Sequence, residues 1–208
     1  MALVFAREAQ STDDTRLRQA LSCSIDRQAL NSVLLQSGGE PAGALLPNWM
    51  TGYAFLFSTS TDLAKANQVR GPLRQASPWT LSYDAGDPLE RVLAERIALN
   101  ARDAGLQLQL TNSAAADLRL VRTPIRSLDR RVALTTLEAA IGVGRSNLSA
   151  DSTEDFYSAE RLVLESRRVI PLLHARVSFG LSGTVRNWSE GPGGSWRLAD
   201  VWLGAGKP

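Results

Sequence analysis

A single cysteine, Cys23, excludes an internal disulfide and leaves the redox compartment open. The only histidine is His174, so no Cys/His cluster with zinc-ligand spacing exists. No Gly-x-Ser-x-Gly sequence occurs, which removes the nucleophile elbow of a serine hydrolase. The glycines at Gly38-Gly39 and Gly142-Val-Gly144 lack the flanking strand, helix and spacing of a phosphate-binding loop. No apolar run approaches the ~18 residues of a membrane span. An excess of one charge is missing too: 23 basic and 21 acidic residues leave +2, and the arginines lie scattered among acids, not in a stripe that would suit nucleic acid. Internal repeats and low-complexity tracts are absent. These gaps leave neither a cofactor nor a metal to expect.

What is present is the composition of an ordinary globular chain. Its 208 residues, 44% hydrophobic and 21% charged, are enough to bury a sizeable core. Ala2 to Ala6 reads as a short buried strand. Asp14 to Leu30 reads as two short helices end to end. Asp13 or Asp14 would cap the first, whose Leu17, Ala20 and Leu21 share a face; Ser24 or Asp26 would cap the second. Cys23 between them reads as a small buried thiol. From Ser37 to Tyr53 a long loop rich in turn formers carries Trp49 and Tyr53, which can face a ligand or pack on their own domain. A short helix follows Thr61 or Asp62.

The clearest supersecondary unit comes next. Trp79 to Tyr83 alternates as a strand, Asp87-Pro88 opens a helix carrying Val92, Ala94, Ile97, Ala98 and Ala101, Gly105 closes it, and Leu106 to Leu110 alternates again. Strand, helix, strand is a βαβ unit with its strands parallel. Further strands are expected at Asp117–Val121, Val169–His174 and Val177–Ser182. Helices are expected at Asp129–Ile141, with Val132, Leu134, Leu137 and Ile141 inside, and at Phe156–Arg168, through Tyr157, Ala159, Leu162 and Val163. The fold class is therefore α/β.

In such a sheet, ligands sit beyond the carboxyl ends of parallel strands. That rule selects Tyr83, Asp84 and Asp87 after one strand, and Arg122, Thr123 and Arg126 after another. His174, on an apolar strand, reads as structural. Asn147-Leu-Ser149 and Asn187-Trp-Ser189 match glycosylation sequons at a chance level.

The order of residues adds a resemblance. Leu17-Arg18-Gln19-Ala20-Leu21 followed by Ile25-Asp26-Arg27 resembles the segment that opens the second lobe of family 5 extracellular solute-binding proteins, the receptors of peptide, nickel and oligosaccharide ABC importers. Lys65-Ala66, the βαβ unit from Leu81-Ser-Tyr83 to Leu108, Tyr157-Ser-Ala-Glu160, Val169-Ile-Pro171 and the closing Leu198-Ala-Asp-Val-Trp-Leu203 resemble the family in the same order. The resemblance implies one lobe of a type II-like periplasmic binding protein, a mixed sheet flanked by helices, over 1–182. A tail over 183–208 would return toward a first lobe outside this chain.

It also implies a non-catalytic role, one wall of a cleft for a peptide, sugar or metal chelate, with the first lobe and an importer permease as partners and a periplasmic or extracytoplasmic location. Met1 to Ala6 is too short for an export signal. The alternative is a solute-sensing domain of a transcription regulator with a separate DNA-binding head. Asp129 resembles the family's Asp-Pro position, with Arg130 in place of the proline. Arg126-Ser127-Leu128 stands where peptide receptors have an acid. Arginines there suit an anionic group or are solvated. The ligand-binding candidates are thus Tyr83, Asp84, Arg122, Arg126, Asp129 and Trp49.

Overall fold

The computed structural model describes residues 1–53, 56–144, 148, 152–176, 179–189, 191 and 196–204. Its first strand, β1 (Ala2–Phe5), is the expected apolar run, with Leu3, Val4 and Phe5 all buried, so both faces of the strand are covered. Helix α1 (Thr12–Ser24) is capped by Ser11, whose Oγ accepts the Asp14 N–H at 3.1 Å, not by Asp13 or Asp14. Asp14 turns to Arg18 one turn on, at 2.9 Å. Arg18 is buried, donates to the Arg7 and Glu8 carbonyls and stacks 4.1 Å from the Phe5 ring centre.

The second helix of the pair is one turn only. α2 (Arg27–Ala29), capped by Asp26, passes directly into a π-helical turn, Leu30–Leu34. Arg27 is buried, and its Nε donates to the Pro171 carbonyl at 2.9 Å and its Nη1 to the Ser22 carbonyl at 3.0 Å. Arg18 and Arg27, two of the polar residues that carry the resemblance, are therefore scaffold. They tie the helix pair to the sheet.

The long loop contains β2 (Gly39–Pro41) and α3 (Asn48–Thr51), two elements that its turn-rich composition conceals. Asp62 caps α4 (Leu63–Arg70), which packs on α1. β3 (Trp79–Ser82), α5 (Pro88–Asp103) and β4 (Leu108–Thr111) form the βαβ unit, its strands parallel with Leu81 opposite Leu110. Gly105 ends it at φ 71°, a left-handed value that suits glycine. The buried face of α5 holds the expected Ala94, Ile97 and Ala101, joined by Leu93, whereas Val92 is 42% exposed.

β5 (Leu118–Val121) and α6 (Arg130–Ile141), capped by Asp129, fall where the sequence places them, but Val132 faces outward. α7 (Thr153–Glu165) starts a turn early because Ser152 caps it, and Leu162 is exposed. The single strand expected over 169–174 is two, β6 (Val169–Pro171) and β7 (Leu173–Ala175), which pair with different partners. Residues 177 and 178 of the last expected strand lie outside the described residues, and 179–182 are not strand. β8 (Val185–Arg186) and β9 (Trp202–Leu203) pair antiparallel in the tail.

The main sheet has the order β4-β3-β5-β1-β6. β3 is parallel to β4 and β5, and β1 is antiparallel to β5 and β6. The mixed sheet is covered on both faces. Leu3, Phe5, Leu81, Leu118 and Ile170 join α1, α4 and α5 in one cluster, and Val4 and Val169 join α6 and α7 in the other. Alternation along β1 divides its side chains between the two.

Candidate functional site

Four strands run one way and β1 runs the other. The carboxyl ends of β3, β4, β5 and β6 therefore meet the start of β1 at one edge, where an α/β sheet carries its ligands. Two loops form that edge, after β3 and after β5. In the first, Asp87 Oδ1 accepts the Leu89 and Glu90 N–H groups at 2.9 and 3.4 Å, and its Oδ2 holds Arg122 Nη1 at 3.1 Å. The positive end of the α5 dipole is thus already met, and so is the Arg122 charge. Glu90, buried behind them, accepts the Asp84 N–H at 3.0 Å, while Asp84 Oδ1 accepts the Gly86 N–H at 2.9 Å.

The structure brings Asp84, Asp87 and Arg122 together and leaves the other candidates apart. Tyr83 is half-buried, packed toward the α5 side of the core. Arg126 is exposed and makes no hydrogen bond or ion pair with the described residues. Asp129 is spent on capping, accepting the Arg131 and Val132 N–H groups at 2.9 and 3.1 Å. Trp49 is 66% exposed on α3, which packs against α7.

A depression of about 430 Å³, part of it open to solvent, lies at the same edge. Val121, Thr123 and Ile125 line one side, every second residue of the segment that leaves β5, where burial alternates along the chain. Ile141 of α6, Ala44 and Leu45 of the long loop and His174 of β7 line it as well, with Met1 and Ala2 at the start of β1. Sequence reasoning reached Thr123 and missed the rest. The period-two alternation of 121, 123 and 125 was the available signal.

His174 Nε2 lies 3.0 Å from the Leu45 carbonyl oxygen, an acceptor only, so that nitrogen carries the proton. Its Nδ1 is 3.5 Å from Glu40 Oε1 across the β2–β7 pair, and burial pushes its pKa down. Glu160 of α7 is fully buried and accepts the Leu46 N–H at 2.7 Å and the Tyr53 hydroxyl. Burial drives its pKa up to about 7, against the pull of these hydrogen bonds, and burial with the Glu160 charge raises Tyr53 as well. Glu160 was legible only as part of the Tyr157-Ser-Ala-Glu160 resemblance, which gives neither its burial nor its partners; a helical glutamate ordinarily faces water.

Chemically the edge is an apolar hollow with a charged rim. His174 hydrogen-bonds no Ser, Thr or Cys among the described residues, and no three of their His, Cys, Asp or Glu side chains gather as metal ligands. Among them, too, no helix is long and apolar enough to cross a membrane.

Protein XP55 of Streptomyces lividans is 29% identical over 122 residues, 52% of this chain and 22% of that protein. The murein tripeptide binding protein MppA of Escherichia coli superposes with a TM-score of 0.73 at 17% identity, over 97% of this chain and 47% of its own. The oligopeptide-binding protein AppA of Bacillus subtilis, solved with a nonapeptide, gives 0.70 at 12% identity, over 98% of this chain and 50% of its own. The chain thus spans about half the length of these solved structures. Residues 1–135 match the family described as bacterial extracellular solute-binding proteins, family 5 Middle. With that match running through the helix pair, the βαβ unit and the edge loops, the chain belongs to family 5 of the bacterial extracellular solute-binding proteins.

Proposed function

We propose that this chain is the second lobe and C-terminal tail of a two-lobed receptor, one non-catalytic wall of a cleft that closes on a small solute. The observation that carries this reading is coverage: nearly all of the chain superposes on about half of a peptide-binding protein. The other wall is then the first lobe of the same parent protein. An ABC importer permease, reached outside the cytoplasmic membrane, is the downstream partner. A peptide is the solute of first choice, since MppA and AppA are named for peptides. The edge after β3 and β5 faces the cleft, with Tyr83, Asp84, Arg122 and Arg126 on the loops beside it. The tail returns to the first lobe, which accords with Trp202 and Leu203 being 59% and 74% exposed here.

A cleft divides its contacts between two walls, and closure by hinge motion brings them onto the solute together. One wall alone keeps only part of the contact area and still meets the full entropic cost of association. Isothermal titration of the chain against pooled peptides, sugars and nickel chelates should therefore give weak heat, with Kd near or above ~1 mM, while the two-lobed parent binds in the micromolar range. Micromolar binding by this chain alone, or consumption of the pool, would refute the reading.

A further inference from the structure

We propose that His174 and Glu160 are positioning residues for the depression: between them they clamp one peptide unit, Leu45–Leu46, and so set the fit of its wall to an apolar group of the solute. The inference rests on the reading that this edge faces the solute. The Leu45 carbonyl accepts His174 Nε2–H at 3.0 Å, and the Leu46 N–H, the other end of the same planar peptide, donates to Glu160 Oε1 at 2.7 Å. A peptide unit held at both polar ends cannot rotate without breaking one bond.

The two holding groups come from separate elements, β7 and α7. Glu160 also takes the Tyr53 hydroxyl, so its two oxygens fix both ends of the stretch that contains α3. A fully buried carboxylate is costly to keep, and here both of its oxygens are used on this stretch. What the clamped segment presents to the depression is Ala44 and Leu45, opposite Val121, Ile125 and Ile141. That lining suits an aliphatic group.

The test uses isobutanol as an aliphatic probe and the chain labelled with 13C at its Ile, Leu and Val methyl groups. Saturable shifts are expected at Leu45, Val121, Ile125 and Ile141. His174→Gln keeps an N–H donor for the Leu45 carbonyl, and Glu160→Gln keeps an acceptor for the Leu46 N–H; both should retain the wild-type affinity. His174→Leu and Glu160→Leu should weaken it roughly fivefold, the scale of one hydrogen bond. Melting temperatures measured alongside separate general destabilisation from loss of the wall.

Leucine variants that bind as well as wild type, glutamine variants as poor as the leucine ones, or shifts away from these methyls would overturn the proposal. Should Glu160→Leu fail to fold, His174→Leu and the exchange rate of the wild-type Leu46 amide decide it: rapid exchange there means no clamp. Isobutanol reports on the depression without any solute. A two-lobed parent that binds no peptide, sugar or chelate would therefore sink the functional reading while leaving this result intact.

Discussion

Burial gives Glu160 a pKa of about 7 against an ordinary 4.5, so the folded state holds its proton more tightly than the unfolded chain does. The stabilisation is fully present below the unfolded value and is lost as pH rises through the folded one. Over that window it amounts to on the order of 3 kcal/mol. In urea denaturation across the window the stability of the wild type relative to Glu160→Gln should fall as pH rises, while the Met1 ammonium and His174, both lowered by burial, push the other way in either protein; a wild-type-to-variant difference that does not change with pH would remove Glu160 as a cause. Arg27 makes the opposite case, a buried cation whose pKa burial lowers to about 10 and whose N–H groups reach the Pro171, Ser22 and Ile25 carbonyls. Arg27→Lys keeps the charge but not the fork, and should cost about 2–4 kcal/mol in the same assay. Neither residue's role was legible from sequence. Arg27 was legible as part of a motif, yet the motif names no partner, and Pro171 lies 144 positions away.

Elements were legible where the signal is local. Asp87 and Asp129 stand as helix caps because capping acts within one turn, and Gly105 closes α5 for the same reason. The cap of α1 was missed by a few residues: Ser11, Asp13 and Asp14 are all competent, and only the helix start decides. Strand 169–174 was read as one because its break is set by partners far off, β1 for one half and β2 for the other. Val132 was placed inward and is exposed, as are Val92 and Leu162 on their apolar spacings, because such spacing fixes a stripe only to within a residue or so on each side. At Asp87 one side chain serves both helix and edge. Asp87→Ala should cost about 1 kcal/mol as a lost cap. Arg122→Ala, breaking a half-exposed pair, should cost ~0–1 kcal/mol. The double variant measured by chemical denaturation should match Asp87→Ala closely; a large extra loss would give Arg122 a structural role the geometry does not.

For the whole molecule, the α/β class, the βαβ unit and the family were legible, because local periodicity and a long ordered resemblance report them. The edge proposed to face the solute rests, at the level of sequence, only on a rule about strand ends. The depression stayed hidden because it joins β5, α6, the long loop and β7, segments with no sequence signature in common. The most direct check on the cleft reading is hydrogen exchange on the two-lobed parent with and without its solute. Solute should slow exchange in this lobe at Tyr83–Asp87 and Arg122–Ile125, and leave α1 and α4 unchanged. Protection centred on α1 and α4, with those two loops unaffected, would show that the solute sits elsewhere.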